Sequence, residues 1–256
     1  VLHSNFKQVF TMNSVFFVFR AVGLLALVFV AETALAGSFS VKPTRIFLKD
    51  IPQATMMIGN TSGEEIFIQA ELMAWTQQDG KDVYTPSREI MMSPPMFKIP
   101  AGGEQTVRLR VMREGAIEQE RAYRLFLQEV PLSKTKESTV ASVATVLKIG
   151  VPIFIQPAKA DPAKYDWQAT HSAGSVTVKV SNNTNSHVQF TALRLTSPEG
   201  KVLSDEKVFV YVLPGQTYKW GINQPWAGDK LVIQADSDRG EIKSVVNLAN
   251  SNVVVP

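Results

Sequence analysis

The stretch VASVATVLKIGVPIFI, residues 140–155, decides how the rest of the chain is read. Its odd positions Val143, Leu147, Ile149, Val151, Ile153 and Ile155 form an apolar row interrupted by Thr145. The even positions are mixed, with Val146 and Phe154 apolar and Ser142, Ala144, Lys148, Gly150 and Pro152 small, charged or conformationally special. Alternation of this kind makes a β-strand with one apolar face. Fully extended, the run would span ~50 Å at about 3.3 Å per residue. An ordinary sandwich strand needs about 5–6 residues. A strand that outruns its own domain with an apolar face exposed is an aggregation hazard unless a partner covers it. The excess length therefore points to a strand that binds another protein.

Outward from that run, short apolar segments alternate with turn chemistry, and no long amphipathic helix is evident. Strands are expected at 39–48, 54–58 and 66–75, the last closing at Asp79-Gly80, a strong hairpin signal. Pro94-Pro95 and Pro100-Ala101-Gly102-Gly103 bracket an edge-like segment, because proline is confined to strand edges and starts. Residues 105–111 put Val107, Leu109 and Val111 on one face, and residues 123–130 do the same with Tyr123, Leu125 and Leu127. Residues 134–139 read as a polar loop leading into the long run. Residues 156–162, with Pro157 and Pro162, read as a stiff linker. The pattern then restarts, with strands expected at 175–180, 188–195, 208–213, 218–222 and 231–235. The fold class expected is all-β: two immunoglobulin-like β-sandwiches in tandem joined by a short proline-containing hinge. The boundaries are 37–157 for the first domain with the long strand and 158–256 for the second. Ile58-Gly59-Asn60-Thr61-Ser62 and Lys179-Val180-Ser181-Asn182-Asn183 suggest similar topology in the two rather than a true repeat.

The first 36 residues have the order of a secretory signal: a lightly basic start, an apolar stretch over 21–31, and the small-x-small site Ala34-Leu35-Ala36. A membrane anchor would need ~20 apolar residues, and Arg20 interrupts the longer count. Cleavage after Ala36 is expected, with Met12 as a plausible start and residues 1–11 upstream of it. The formal net charge of the chain is +3, which is weak ground for a polyanionic partner, and no basic run dense enough for nucleic acid is present. There is no cysteine, so stability must come from the cores alone.

Chemistry is hard to find. Beyond the leader the histidines are His171 and His187, each in or beside a polar turn and expected to be solvated. No GxSxG, GxGxxG, Walker or HExxH motif occurs, and Glu64-Glu65 and Asp205-Glu206 sit beside turns. Neither catalysis, cofactor, metal nor small-molecule substrate is expected. Asn60 and Asn182 fit glycosylation patterns, but both lie at turns where asparagine is expected for backbone reasons. Trp220 is expected in the second core, and Trp75 as an ordinary strand aromatic.

Five blocks, in order, give the chain a family likeness: FSVKPTRIFL at 39–48; PMFKIPAG at 95–102 with QTVR at 105–108; ERAYRLFLQEVP at 120–131; VPIFIQP at 151–157; and LPGQTYKW at 213–220. Together they resemble the periplasmic chaperones of the chaperone–usher pathway, which assemble surface pili. The resemblance implies a chaperone that lends its long strand to pilus or fimbrial subunits and delivers them to an outer-membrane usher. Val143, Thr145, Leu147 and Ile149 would be the donated row. The subunit's terminal carboxylate would be clamped by basic residues in the cleft between domains, with Arg45 first among them. The better-known branch has a lysine five residues before the hinge proline, where this chain has Pro152. The nearest strand lysine is Lys148, and Arg124 is the alternative second anchor. Tyr123-Arg124-Leu125 with Val151-Pro152-Ile153-Phe154 looks more like the archaic branch. Tyr123 itself is expected to bond backward as a tyrosine corner. The rival reading is a structural or adhesive component of the fibre, which should carry a spare donor segment, whereas Gly37 runs almost directly into Phe39.

Overall fold

Two-residue periodicity dominates the chain and closes into strands at every point where turn chemistry interrupts it. The computed structural model describes residues 39–49, 52–112, 115–131, 146–172 and 174–250. The first lobe contains ten strands: β1 (Phe39–Lys42), β2 (Ile46–Leu48), β3 (Gln53–Asn60), β4 (Ile66–Gln78), β5 (Lys81–Pro86), β6 (Ile90–Ser93), β7 (Met96–Ile99), β8 (Glu104–Val111), β9 (Arg121–Glu129) and β10 (Lys148–Ile155). They form one sheet in the order β1-β3-β8-β6 and a second in the order β2-β10-β9-β4-β5, with β7 paired to β4. The inward rows expected from sequence are buried: Val107, Leu109 and Val111 from one sheet face Tyr123, Leu125 and Leu127 from the other. Asp79 and Gly80 both take positive φ, 52° and 75°, which is the backbone a tight β4–β5 hairpin requires.

The second lobe has seven strands: β11 (Tyr165–Ser172), β12 (Ser175–Asn182), β13 (Val188–Thr196), β14 (Val202–Val212), β15 (Thr217–Ile222), β16 (Lys230–Ser237) and β17 (Gly240–Asn250). Strand β17 belongs to both layers. It pairs antiparallel with β16 from Gly240 to Asn247 and then parallel with β11 from Leu248 to Asn250. The core holds Trp167, Phe190 and Trp220 among aliphatic side chains, with Trp220 inside as expected. The architecture is therefore all-β, a pair of immunoglobulin-like sandwiches. β11 and β17 were not expected from sequence. In β11 the inward residues are Trp167 and Ala169 beside Asp166, Gln168 and Thr170, too sparse an apolar pattern to stand out.

A buried asparagine closes the same corner in each lobe. Asn60 Nδ2 donates to the carbonyls of Glu64, Ile99 and Pro100 at 2.7, 3.0 and 2.9 Å, and its Oδ1 accepts from Ser62 N and Oγ. Asn182 Nδ2 donates to the carbonyls of Ser186 and Val212, both at 2.9 Å, and its Oδ1 accepts from Thr184 N and Oγ1. Where a strand ends inside the protein its backbone polar groups need partners, and one amide side chain supplies several. The Asn-x-Ser/Thr pattern at these sites is thus a structural plug.

Candidate functional site

The site begins with an even-numbered residue of β10. Residues alternate sides along a strand, so while Val151, Ile153 and Ile155 enter the core of the first lobe, Phe154 points to the opposite face. There it is fully buried with Trp75, Ala122 and Leu213, flanked by Tyr84 and Tyr211. Trp75 is therefore more than a strand aromatic: it is part of the seam between the lobes. Gln77 fastens the same seam. Its Nε2 donates to the Tyr211 carbonyl at 2.8 Å and to Asp82 Oδ1 at 3.0 Å, and its Oε1 accepts from Leu213 N at 2.9 Å.

His187, expected to be solvated, is 3% exposed. Its ring lies 3.7 Å from that of Phe154, nearly parallel. Nδ1 sits 2.6 Å from Glu120 Oε1, which also accepts the His187 backbone N–H at 2.9 Å. Nε2 lies 3.6 Å from Asp238 Oδ2. Composition around His187 (Thr184, Asn185, Ser186) looks like a solvent turn, and the partner Glu120 is remote in sequence, so nothing local announced the burial. Burial alone would lower the imidazole pKa. Hydrogen bonding to Asp238 and Glu120 and their two charges outweigh it, and the pKa is raised.

Asp238, in the β16–β17 turn, links this cluster to Arg45. Its Oδ1 accepts the Gln189 backbone N–H at 2.9 Å, and its Oδ2 accepts from Arg45 Nη1 at 3.1 Å. Burial would raise its pKa, but the hydrogen bonds from His187 and Gln189 and the charges of His187 and Arg45 hold it below the usual aspartate value. The Arg45 guanidinium also lies 5.5 Å from the ring of Phe47, which pairs with Phe154 across the parallel β2–β10 ladder.

Arg124 is the second cation of the cleft. It stands on β9 opposite Pro152, its Cζ 4.0 Å above Trp75 and 5.9 Å from Tyr211, with Nη2 3.9 Å from Asp82 Oδ2. Its buried Nε has no hydrogen-bond partner. Gly150 makes room for it: a Cβ there would come within 3.2 Å of both Arg124 Cδ and Phe126 Cε1. Burial raises the Tyr211 hydroxyl pKa, against the pull of the Arg45 and Arg124 charges and with a contribution from Asp238. A cleft of about 450 Å³ opens here, lined by Trp75, Gln77, Asp82, Arg124, Phe209 and Tyr211. Lys148 is elsewhere. It pairs with Gln128, four residues along β9 from Arg124 and so ~13 Å away, and its Nζ lies 4.7 Å over Phe126.

The apolar row of β10 emerges gradually from its own core. Val151 and Ile153 are buried, and Ile149 and Leu147 are half-buried against the same core. The β9 ladder reaches Leu147, whose carbonyl accepts Glu129 N at 3.0 Å. Val143 and Thr145 lie outside the described residues. Tyr123 makes no tyrosine corner: its hydroxyl donates to the Glu89 carboxylate, which also pairs with Arg121. Burial first, then that carboxylate, raises its pKa.

Residues 38–161 match the pili and flagellar-assembly chaperone, PapD N-terminal domain, family. This segment is a pilus-assembly chaperone domain. The match covers the strand order from β1 through β10 and takes in Arg45, Arg124, Lys148 and the described part of the emerging row. No curated protein matches the chain in sequence. Solved structures of chaperones share its fold. CsuC, in a pre-assembly complex with the tip adhesion subunit CsuE from the archaic chaperone–usher Csu pili of Acinetobacter baumannii, is 21% identical with a TM-score of 0.62, covering 83% of this chain and 100% of that one. The CupB2 chaperone of Pseudomonas aeruginosa is 20% identical with a TM-score of 0.53, covering 80% and 98%. The E. coli chaperone DraB is 17% identical with a TM-score of 0.56, covering 83% and 97%. The sequence-based candidates take three different settings: Arg124 lines the cleft, Arg45 pairs with Asp238, and Lys148 lies over Phe126. Of the seam residues, Glu120 opens the family block at 120–131, whereas His187 and Asp238 had no sequence signal.

Proposed function

We propose that the chain is a periplasmic chaperone of the archaic chaperone–usher type that holds pilus or fimbrial subunits and passes them to an outer-membrane usher. Residues 1–36 serve as a cleaved export signal. Residues 37–157 and 158–256 act as two domains about the cleft. The observation that carries this reading is the apolar row of β10, which leaves its own core at Ile149 and Leu147 with its pairing to β9 intact. A subunit sandwich short of one strand can take that row as its missing edge. Val143, Thr145, Leu147 and Ile149 fill its groove. Each aliphatic side chain so buried contributes about 1.5–3 kcal/mol, and backbone hydrogen bonds fix the register.

Arg45 and Arg124 anchor the subunit's terminal carboxylate in the cleft, where charge-assisted hydrogen bonds set how far the strand is offered. Lys148, four residues along β9 from Arg124 with its amine over Phe126, flanks the donated row. The test is co-expression with pilus subunits encoded alongside, followed by pull-down from a periplasmic extract. Arg45→Ala and Leu147→Asp should each abolish recovery of the complex while the chaperone itself stays folded. Full recovery with Arg45→Ala would remove the anchor, and full recovery with Leu147→Asp would place the donated row elsewhere.

A further inference from the structure

We propose that Asp238 is a built-in competitor for the subunit's terminal carboxylate: it occupies Arg45 in the free chaperone and is displaced when a subunit docks. The proposal deepens the cleft reading and rests on Arg45 being the anchor. Three observations carry it. Asp238 Oδ2 lies 3.1 Å from Arg45 Nη1, at the distance and with the charge an incoming carboxylate would present. Asp238 is tied down at its turn: its backbone N donates to the Gln189 carbonyl at 3.0 Å, and its Oδ1 accepts Gln189 N at 2.9 Å, leaving Oδ2 for Arg45. Finally, His187 stands beside it, with Nε2 3.6 Å from the same oxygen and Nδ1 2.6 Å from Glu120 Oε1.

These features give the exchange a place for each charge. When a subunit carboxylate takes Arg45, Asp238 Oδ2 turns to His187, whose other nitrogen is already bonded to Glu120. No charge is stranded in the seam. The groups facing Asp238 are Arg45 from the β1–β2 connection, His187 from the start of β13, and Arg239 and Tyr165 nearby. An anchor that is never empty rejects chance carboxylates, and a ligand that also takes up the donated row can outbid the internal one.

The test compares the full chain with Asp238→Asn and Asp238→Glu. The probes are a peptide of alternating valine and serine ending in a free carboxylate and the same peptide as its amide, followed by calorimetry. Asp238→Asn should bind the free acid about two- to fivefold more tightly, the factor that a part-exposed ion pair supports, with the amide unchanged. Asp238→Glu should restore the original affinity. In the unmodified chain, the Asp238 carboxyl carbon resonance should move on adding the acid and not the amide. If the unmodified chain distinguishes acid from amide while Asp238→Asn gains nothing, or the resonance stays put, the competitor assignment is overturned and the anchor stands. If the unmodified chain binds both alike, Arg45 is not the anchor and both fall.

Discussion

Glu120→Ala should uncouple the seam between the lobes. The carboxylate is 5% exposed, and its Oε1 accepts two hydrogen bonds, one from the His187 ring and one from its backbone N–H. Removing it leaves both donors buried, since the ring is sandwiched against Phe154. Breaking one side of a buried charged pair costs about 3–5 kcal/mol, and in a protein of this size each kcal/mol moves Tm by about 2–4 °C. A fall of about 6–20 °C is expected by calorimetry, with an early change in tryptophan fluorescence because Trp75 is 5.9 Å from Phe154. The effect depends on pH. The folded His187 pKa lies above its unfolded value, so its contribution is complete below about pH 6.5. It fades as pH rises through the raised folded value. The gap between parent and variant should therefore narrow from neutral to alkaline pH. A loss below about 1 kcal/mol at pH 6, or a gap that widens with pH, would refute the coupling.

Asn182→Ala should cost about 1–3 kcal/mol by removing the side-chain donor of the Val212 carbonyl and leaving the Ser186 carbonyl to Thr184 Oγ1 alone; urea unfolding at unchanged cleft binding would check it, and a neutral variant would mean water replaces the plug. Gly150→Val should push Arg124 off Trp75, because even a Cβ meets its Cδ at 3.2 Å. The expected readout is weakened subunit recovery with a Tm within a few degrees of the parent, and unchanged recovery would remove Arg124 from the anchor.

What could be read from sequence divides along the range of the interaction. Alternation along Val107, Leu109 and Val111, and the Asp79-Gly80 turn, are local properties of the backbone, so strands and hairpin were legible. Trp220 followed from hydrophobicity. Where Arg124 and Lys148 lie relative to each other could not be read from spacing, because the β9–β10 register sets Arg124 opposite Pro152 and Lys148 opposite Gln128. The signal that existed was Gly150, a strand glycine that leaves space for a neighbouring side chain. His187 was misjudged because a polar turn looks the same whether water or another lobe lies against it. Glu120 and Asp238, which decide the matter, approach only once both sandwiches are folded.

Strand β10 has one end in the seam and the other at the emerging row, and this fixes how it bears force. Its hydrogen bonds to β9 and β2 run across the strand direction. A pull along its axis loads that ladder in shear, all rungs at once, with Phe154 wedged as a stop. A pull sideways at Leu147 loads first the outermost rung among the described residues, the bond from Glu129 N, and can open the ladder one residue at a time. The chain is thus stiff to axial tension and compliant to lateral peeling. A machine that must take cargo from it has a low-force direction in which to work.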